Sequence, residues 1–455
     1  MYSCVLRHGL VVLPNESAHV DIAVSDGKIV CIMSEGTPAA AALEVDLTGK
    51  IVFPGLVDSH AHVSYCGDYT AGTKAAAKGG VTTLIEMPTS NYMPHVMDEH
   101  LFNQRIDMIG KNSCVDMSLW GGISPDKVDR INGLLSAGAG AFKVFMCDAG
   151  TYPSFSAADL LRLFRYLKGI GKDALIGVHA EVEEICAEST YIQKKSGLGA
   201  SGNSIARPLV SELMAVAILC AAALEADARI HICHISSPQV IDLLDFFRKK
   251  GLRATAETCP HYLLLTEKDT ERCGTYAKCA PPLRDAGTKE GLWERVLSGR
   301  VDIIGSDHAS YSEKEKETDC FWDAPGGFPG LDIFLPLLYE EGVLRRGLSL
   351  CQLAKITSSN AANAFGLNYC KGSVKPGMDA DFAILDPERK WTYYSSSSNG
   401  YISPRYPYEG RQLHGYVEYT FVRGEIVNHC GFVSNTSGGK FIPAQTHDRE
   451  PPKVL

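Results

Sequence analysis

Three observations predict an α/β chain: eight apolar, β-branched runs, helical patterns between most of them, and two flanks of short alternating segments at the chain ends. The fold they imply is a (β/α)8 barrel of the TIM type over residues 51–371, joined to a small β-sandwich domain built discontinuously from residues 1–50 and 372–455. The N-terminal flank alternates through VLRHGLVVLP and VDIAVSDGKIVCIM. The barrel runs follow as IVFPGLV (51–57), VTTLIEM (81–87), CVDMSLW (114–120), AFKVFM (141–146), ALIGVHA (174–180), ARIHICHIS (228–236), LRATAETC (252–259) and VDIIGSD (301–307). Near-continuous hydrophobicity marks strands buried on both faces, as in a parallel sheet. Residues 156–171, 207–226, 238–251 and 288–299 repeat apolar positions at helical spacing, often opening on Pro or Ser and closing on Gly. The C-terminal flank alternates again in GSVKPGMDADFAILDP and YVEYTFVRGEIVN, and only HDREPPKVL reads as disordered. A doubly wound open sheet is the alternative, but no GxGxxG or GxxxxGK[ST] fingerprint follows any run.

With 455 residues, 45% apolar and 21% charged, the chain has the composition of a soluble globular protein. Forty-four basic against 53 acidic residues give a net charge of −9, and basic residues gather only in pairs or short groups such as 248–250. Nucleic acid and anionic membrane are therefore excluded as expected partners. The N-terminus is too short and interrupted for a signal segment, and no apolar stretch approaches the roughly 18 residues of a membrane span. Fifteen cysteines, an odd number with many inside apolar runs and no CxxC pair, read as reduced thiols in a cytoplasm.

Chemistry on such a barrel gathers at the C-terminal strand ends. Those ends carry His60 and His62, Glu86, Lys143, His179, His234, Glu257 and Asp307. In GLVDSHAHVSY, His60 and His62 leave one face of an extended chain, since strand side chains alternate with period two. His179 closes an otherwise apolar run, His234 shares strand parity with Ile232 while His231 points away, and Asp307 ends an apolar run. Four imidazoles and a carboxylate at one mouth suit a divalent metal of the zinc type. Lys143 is a cation among ligands that would repel metal. A desolvated amine beside positive charge has a lowered pKa, and a neutral amine can add carbon dioxide to form a carbamate able to bridge two ions.

Taken together, GLVDSHAH, GGVTTLIEMP, GAFKVFM, HAE, HICHISSP, ETCPHYLLL, KCAPPLRD, GSDHA and KGSVKPGMDADFAILDP resemble the amidohydrolase superfamily, and within it the cyclic amidohydrolases: allantoinases, hydantoinases or dihydropyrimidinases, and dihydroorotases. The resemblance implies a homo-oligomeric (tetrameric or dimeric) hydrolase of small cyclic amides with two divalent ions per subunit. His60, His62 and Asp307 would hold one ion, His179 and His234 the other, with carboxylated Lys143 between them. A metal-bridging hydroxide would attack the ring carbonyl, and Asp307 would carry the proton from it to the leaving nitrogen. Dihydroorotases carry an arginine just after the histidine pair, where this chain has Val63 and Ser64. Hydantoinases usually place a tyrosine five residues after the bridging lysine, where this chain has Asp148. IEMP, ETCPHY and KCAPPLRD are most similar to allantoinases, although the loop after the histidine pair is short, Ala280 replaces the usual serine, and Tyr311 the usual proline. The expected reaction is allantoin to allantoate, a step of purine metabolism, with hydantoinase or dihydropyrimidinase activity as the alternative. Asp148, Cys279, Ala280, Arg284 and Gly326 are the expected substrate contacts, with Glu86 helping to shape the pocket. A scaffold lacking catalysis is disfavoured, because all six ligand positions are retained.

Overall fold

Eight parallel strands close on themselves. They are Leu56–His62, Val81–Glu86, Asp116–Leu119 continued as Gly121–Gly122, Ala141–Phe145, Leu175–His179, Arg229–Ile232, Arg253–Thr258, and Ile303–Ile304 continued as His308–Ala309. The last strand is joined to the first by the Asp307 amide, which donates to the His60 carbonyl at 2.8 Å. The computed structural model describes residues 1–395, 403, 405–434 and 438–445, so the tail read as disordered lies outside the described residues. Every residue of the first, second and fifth barrel strands is buried, as the unbroken apolar runs require. Val57, Ile85, Trp120, Leu175, Cys233 and Ile303 belong to one apolar cluster. The Trp120 ring needs Gly177 opposite it, since a Cβ there would sit 2.3 Å from the ring.

The helices between strands begin where local chemistry starts them. Ser156 and Asp159 form a capping box for Ala157–Gly169, Pro238 opens Pro238–Arg248, and the Asp285 carboxylate caps Ala286–Leu297. Leu209–Ala226 corrects one expectation. With residues 200–208 it forms a segment long and apolar enough, by length and composition, to cross a membrane. Here it lies against the helices Ala157–Gly169 and Pro238–Arg248 and buries Ala215, Leu219 and Ala223.

Both chain ends build a nine-stranded sheet, whose strands share an apolar cluster that includes Leu6, Ile22, Val52, Phe382 and Phe421. The run IVFPGLV is not one strand. Ile51–Pro54 pairs with Tyr2–Val12 and Phe382–Thr392 in this sheet, and the barrel starts only at Leu56. The break falls at Gly55, whose amide donates to the Asp381 carbonyl and whose Cβ, if present, would lie 2.2 Å from Thr82 Oγ1. Residues 438–445 leave the sheet and run along the barrel, where the Met117 amide donates to the Lys440 carbonyl.

Lys371 rivets the two parts. Its ammonium is buried and lies 2.5 Å from Asp116 on the barrel, and 2.9 and 2.7 Å from Asp379 and Asp381 beside the sheet. These carboxylates hold its pKa well above the usual range, outweighing the effect of burial. Lys371→Met leaves the three carboxylates with less compensating charge and should destabilise the protein by about 3–5 kcal/mol. Urea unfolding followed by circular dichroism measures it, and a loss under about 1 kcal/mol would show that the rivet is dispensable.

Candidate metal centre

His60 and His62 meet at Asp307. The His60 and His62 Nε2 atoms lie 3.3 and 3.6 Å from the Asp307 carboxylate, and the three ligand atoms fall within 4.8 Å of one another. Beside them His179 Nδ1 and His234 Nε2 approach to 3.1 Å, and the His60 and His234 rings are 5.2 Å apart between centroids. The buried Lys143 amine has no hydrogen-bond partner among the described residues, and neither has His234 Nδ1. The charge of Lys143 acts on His60, His179 and His234 alike, which places it beside both clusters.

Strand alternation accounts for His60, His62, Lys143 and His179, but not for the last two members. The sixth strand ends at Ile232, and His231, not His234, takes the inward position, with its Nε2 3.2 Å from Glu257. His234 reaches the cluster because its backbone turns into the left-handed region, φ 39°. Asp307 makes the same turn, φ 48°. Such a conformation costs a non-glycine residue about 1 kcal/mol or more, a strain typical of functional sites.

Each cluster has its own supporting carboxylate. Glu257 accepts from His60 Nδ1 at 2.8 Å and from the His234 amide at 3.2 Å, and Ser59 also donates to it. Glu181 lies 2.7 Å from His179 Nε2 and is gripped by Arg207 at 2.5 Å. A carboxylate on one ring nitrogen fixes the tautomer, so that the other nitrogen presents a lone pair. Thr89 Oγ1, 3.0 Å from His62 Nδ1, does the same for His62.

Electrostatics agree with a cation site. Burial lowers the His60 imidazole to about 4, helped by Lys143, and holds His234 well below its usual range, so both are neutral ligands at pH 7. Burial alone would raise the Asp307 carboxyl, but His60 and His62 outweigh it and hold it at about 2. The nearby thiols are poorer donors, because burial pushes Cys147 and Cys233 up to about 12. The donor set, the orphaned amine and the neutral imidazoles therefore fit divalent metal.

Above the cluster opens a cavity of about 680 Å³. Of the expected substrate contacts, Asp148, Ala280 and Gly326 line it. Cys279 and Arg284 do not. Cys279 is buried behind the wall, and the Arg284 guanidinium is engaged by Ser236, Glu212 and the Arg207 carbonyl. Glu86 also sits behind the wall, where it accepts from the Val63 and Ser64 amides and pins the turn after His62. Sequence reasoning missed Arg207, Thr89 and Tyr65 and met Tyr311 only as a departure from the allantoinase pattern; all four line the cavity from connections where no periodicity points. The roles of Glu181 and Glu257 were missed as well, although Glu181 stands two residues after His179 and Glu257 lies near a strand end. A second cavity, about 510 Å³ around Arg229, Arg253 and Asp302, lies at the opposite strand ends and holds none of these groups.

The Amidohydrolase family model matches residues 51–427. Curated allantoinases of Salmonella choleraesuis (strain SC-B67) and Salmonella newport (strain SL254) are each 34% identical over 436 residues, covering 94% of this chain and 95% of theirs. Among solved structures, the L-hydantoinase (dihydropyrimidinase) of Arthrobacter aurescens superposes with TM-score 0.92 at 30% identity, covering 97% of this chain and all of that one. The dihydropyrimidinase of Brevibacillus agri NCHU1002 gives 0.89 at 26% identity, over 99% of this chain and 100% of that one.

Proposed function

This chain belongs to the amidohydrolase family and hydrolyses cyclic amides, and on that footing we propose that its substrate is allantoin, opened to allantoate. The observation that carries the choice of substrate is the polar cavity wall. Asn91, His95, Asp148, Thr151 and Arg207 face the space above the metal ligands, and no arginine follows His62. A ureido side chain offers donors and acceptors to such a wall, whereas an aryl or alkyl substituent offers none.

In this reading His60, His62 and Asp307 would hold one divalent ion and His179 and His234 a second, with a carbamate on Lys143 as a further ligand, and zinc is the best match to the ligand types. The ions, when bound, supply water activation at neutral pH and polarise the ring carbonyl. Asp307, whose carboxyl is held at about 2, is ionised at neutral pH and is placed to accept the proton of the attacking water. Once protonated it is a strong acid and returns the proton to the leaving amide. Glu257, Glu181 and Arg207 keep the ligand rings in register while this happens. We place the enzyme in a reducing compartment, the cytoplasm, on its free and mostly buried thiols, and as a homo-oligomer in solution.

A panel of allantoin, 5-phenylhydantoin, dihydrouracil and dihydroorotate tests the substrate. Allantoin should show the highest kcat/KM, by as much as about 10⁴-fold where polar pairing is tight, and dihydroorotate should not react. Should the hydantoins win, the second reading takes over: a hydantoinase, in keeping with the solved relatives of that name.

A further inference from the structure

We infer that Lys278 and Lys316 are positioning residues that hold segment 321–327 in place as a wall of the substrate cavity. Neither lysine touches the metal ligands, and neither has a carboxylate ion pair among the described residues. Both spend their ammonium groups on backbone carbonyls. Lys278 Nζ donates to Phe321 at 3.1 Å, Trp322 at 2.9 Å and Ala324 at 2.5 Å. Lys316 Nζ, fully buried, donates to Pro325 at 2.8 Å and to Thr275 at 3.1 Å. The segment they grip has one short 3-10 turn, Phe321–Asp323, and residues 322–327 line the cavity. The Gly327 amide donates back to the Lys278 carbonyl at 2.7 Å, so one residue clasps both ends of the wall.

Energetics argue that this placement does more than fill space. Desolvating an ammonium costs several kcal/mol, and an apolar side chain of similar volume would fill the same site more cheaply. Four of the five carbonyl contacts made by the two cations fall on wall residues 321, 322, 324 and 325 and tie them against the cavity. Burial lowers Lys316 to about 7, with Lys278 adding to the shift and Cys279 and Glu315 opposing it. Burial lowers Lys278 to about 8, with Arg207 and Lys194 adding and Asp323 and Cys320 opposing. The clamp is therefore strongest on the acid side of neutrality and slackens as the lysines lose their protons.

This inference rests on the cavity being the substrate pocket, and its test separates the two. Full-length, metal-loaded Lys278→Met and Lys316→Met are compared with wild type by hydrogen exchange and by kinetics on allantoin. Amides of 321–327 should exchange about tenfold faster while the barrel strands stay protected. KM should rise about tenfold, the size of a lost hydrogen bond to a charged group, with kcat changing less and metal content unchanged. Lys278→Arg should restore part of the KM. Wild-type KM should climb as pH rises from about 7 to about 9, and Lys278→Met should flatten that climb. Unchanged exchange in 321–327 overturns the proposal, as does faster exchange spread over the whole barrel, which marks a general structural role. Should Lys316→Met not fold, the half-buried Lys278→Met decides alone. Faster local exchange with no allantoin turnover would uphold the clamp and reject the substrate.

Discussion

Lys143→Ala will bind fewer than two divalent ions per chain and lose ring-opening activity by at least about 10²–10³-fold, the scale of removing one group that stabilises a transition state. The reason lies in the geometry around this amine. It is buried without a hydrogen-bond partner among the described residues, and its charge acts on histidines of both clusters. A bare ammonium there would repel both ions, whereas a carbamate presents two oxygens in the same space. Elemental analysis should find two ions per chain in the wild type, and acetate added to Lys143→Ala should restore a small part of the turnover by filling the gap. Native mass spectrometry should show the mass of one added carbon dioxide on the wild type alone. Fully active, metal-loaded protein with an unmodified lysine would reject the bridge, and so would a Lys143→Ala variant that keeps both its ions.

Asp307→Asn will lower kcat by about 10²–10⁴-fold, the usual range for losing a general acid–base group. Metal content should fall far less, because His60, His62, His179, His234 and Lys143 remain as ligands. His308, the neighbour in sequence, cannot replace it. Its Nδ1 accepts from the Gly330 and Leu331 amides, and its Nε2 pairs with Ser310, so the ring is turned away and tied down. If Asp307→Asn kept near wild-type kcat with its metals in place, His261 would be the group to remove next. That ring is buried, interacts electrostatically with Asp307, and has an Nε2 without a hydrogen-bond partner among the described residues.

The barrel and most of its candidate metal ligands were legible from periodicity. Unbroken apolar runs mark strands buried on both faces, and a polar residue at the end of such a run has few reasons to be there. That logic places His60, His62, Lys143 and His179 directly. It fails at His234 and Asp307, which enter the site through left-handed backbone turns that alternation does not encode, and it misassigns the direction of His231. It fails again at Pro54-Gly55, where one apolar run serves two different sheets.

What the sequence by itself determined is the chemistry available: four imidazoles, an aspartate and a lysine spaced to end parallel strands, on a chain of net charge −9. What only the tertiary structure decided is which groups serve that chemistry from a distance. Glu181 and Arg207 stand behind His179, and Glu257 stands behind His60 and His234. Arg284 donates to the Arg207 carbonyl from behind the cavity wall, and Lys278 and Lys316 donate to carbonyls of the wall itself. The physical reason is one of range. Strand alternation and helix capping act over a few residues and leave a mark in the local sequence. The pairing of Glu257 with a histidine 197 positions away leaves none until the barrel has closed.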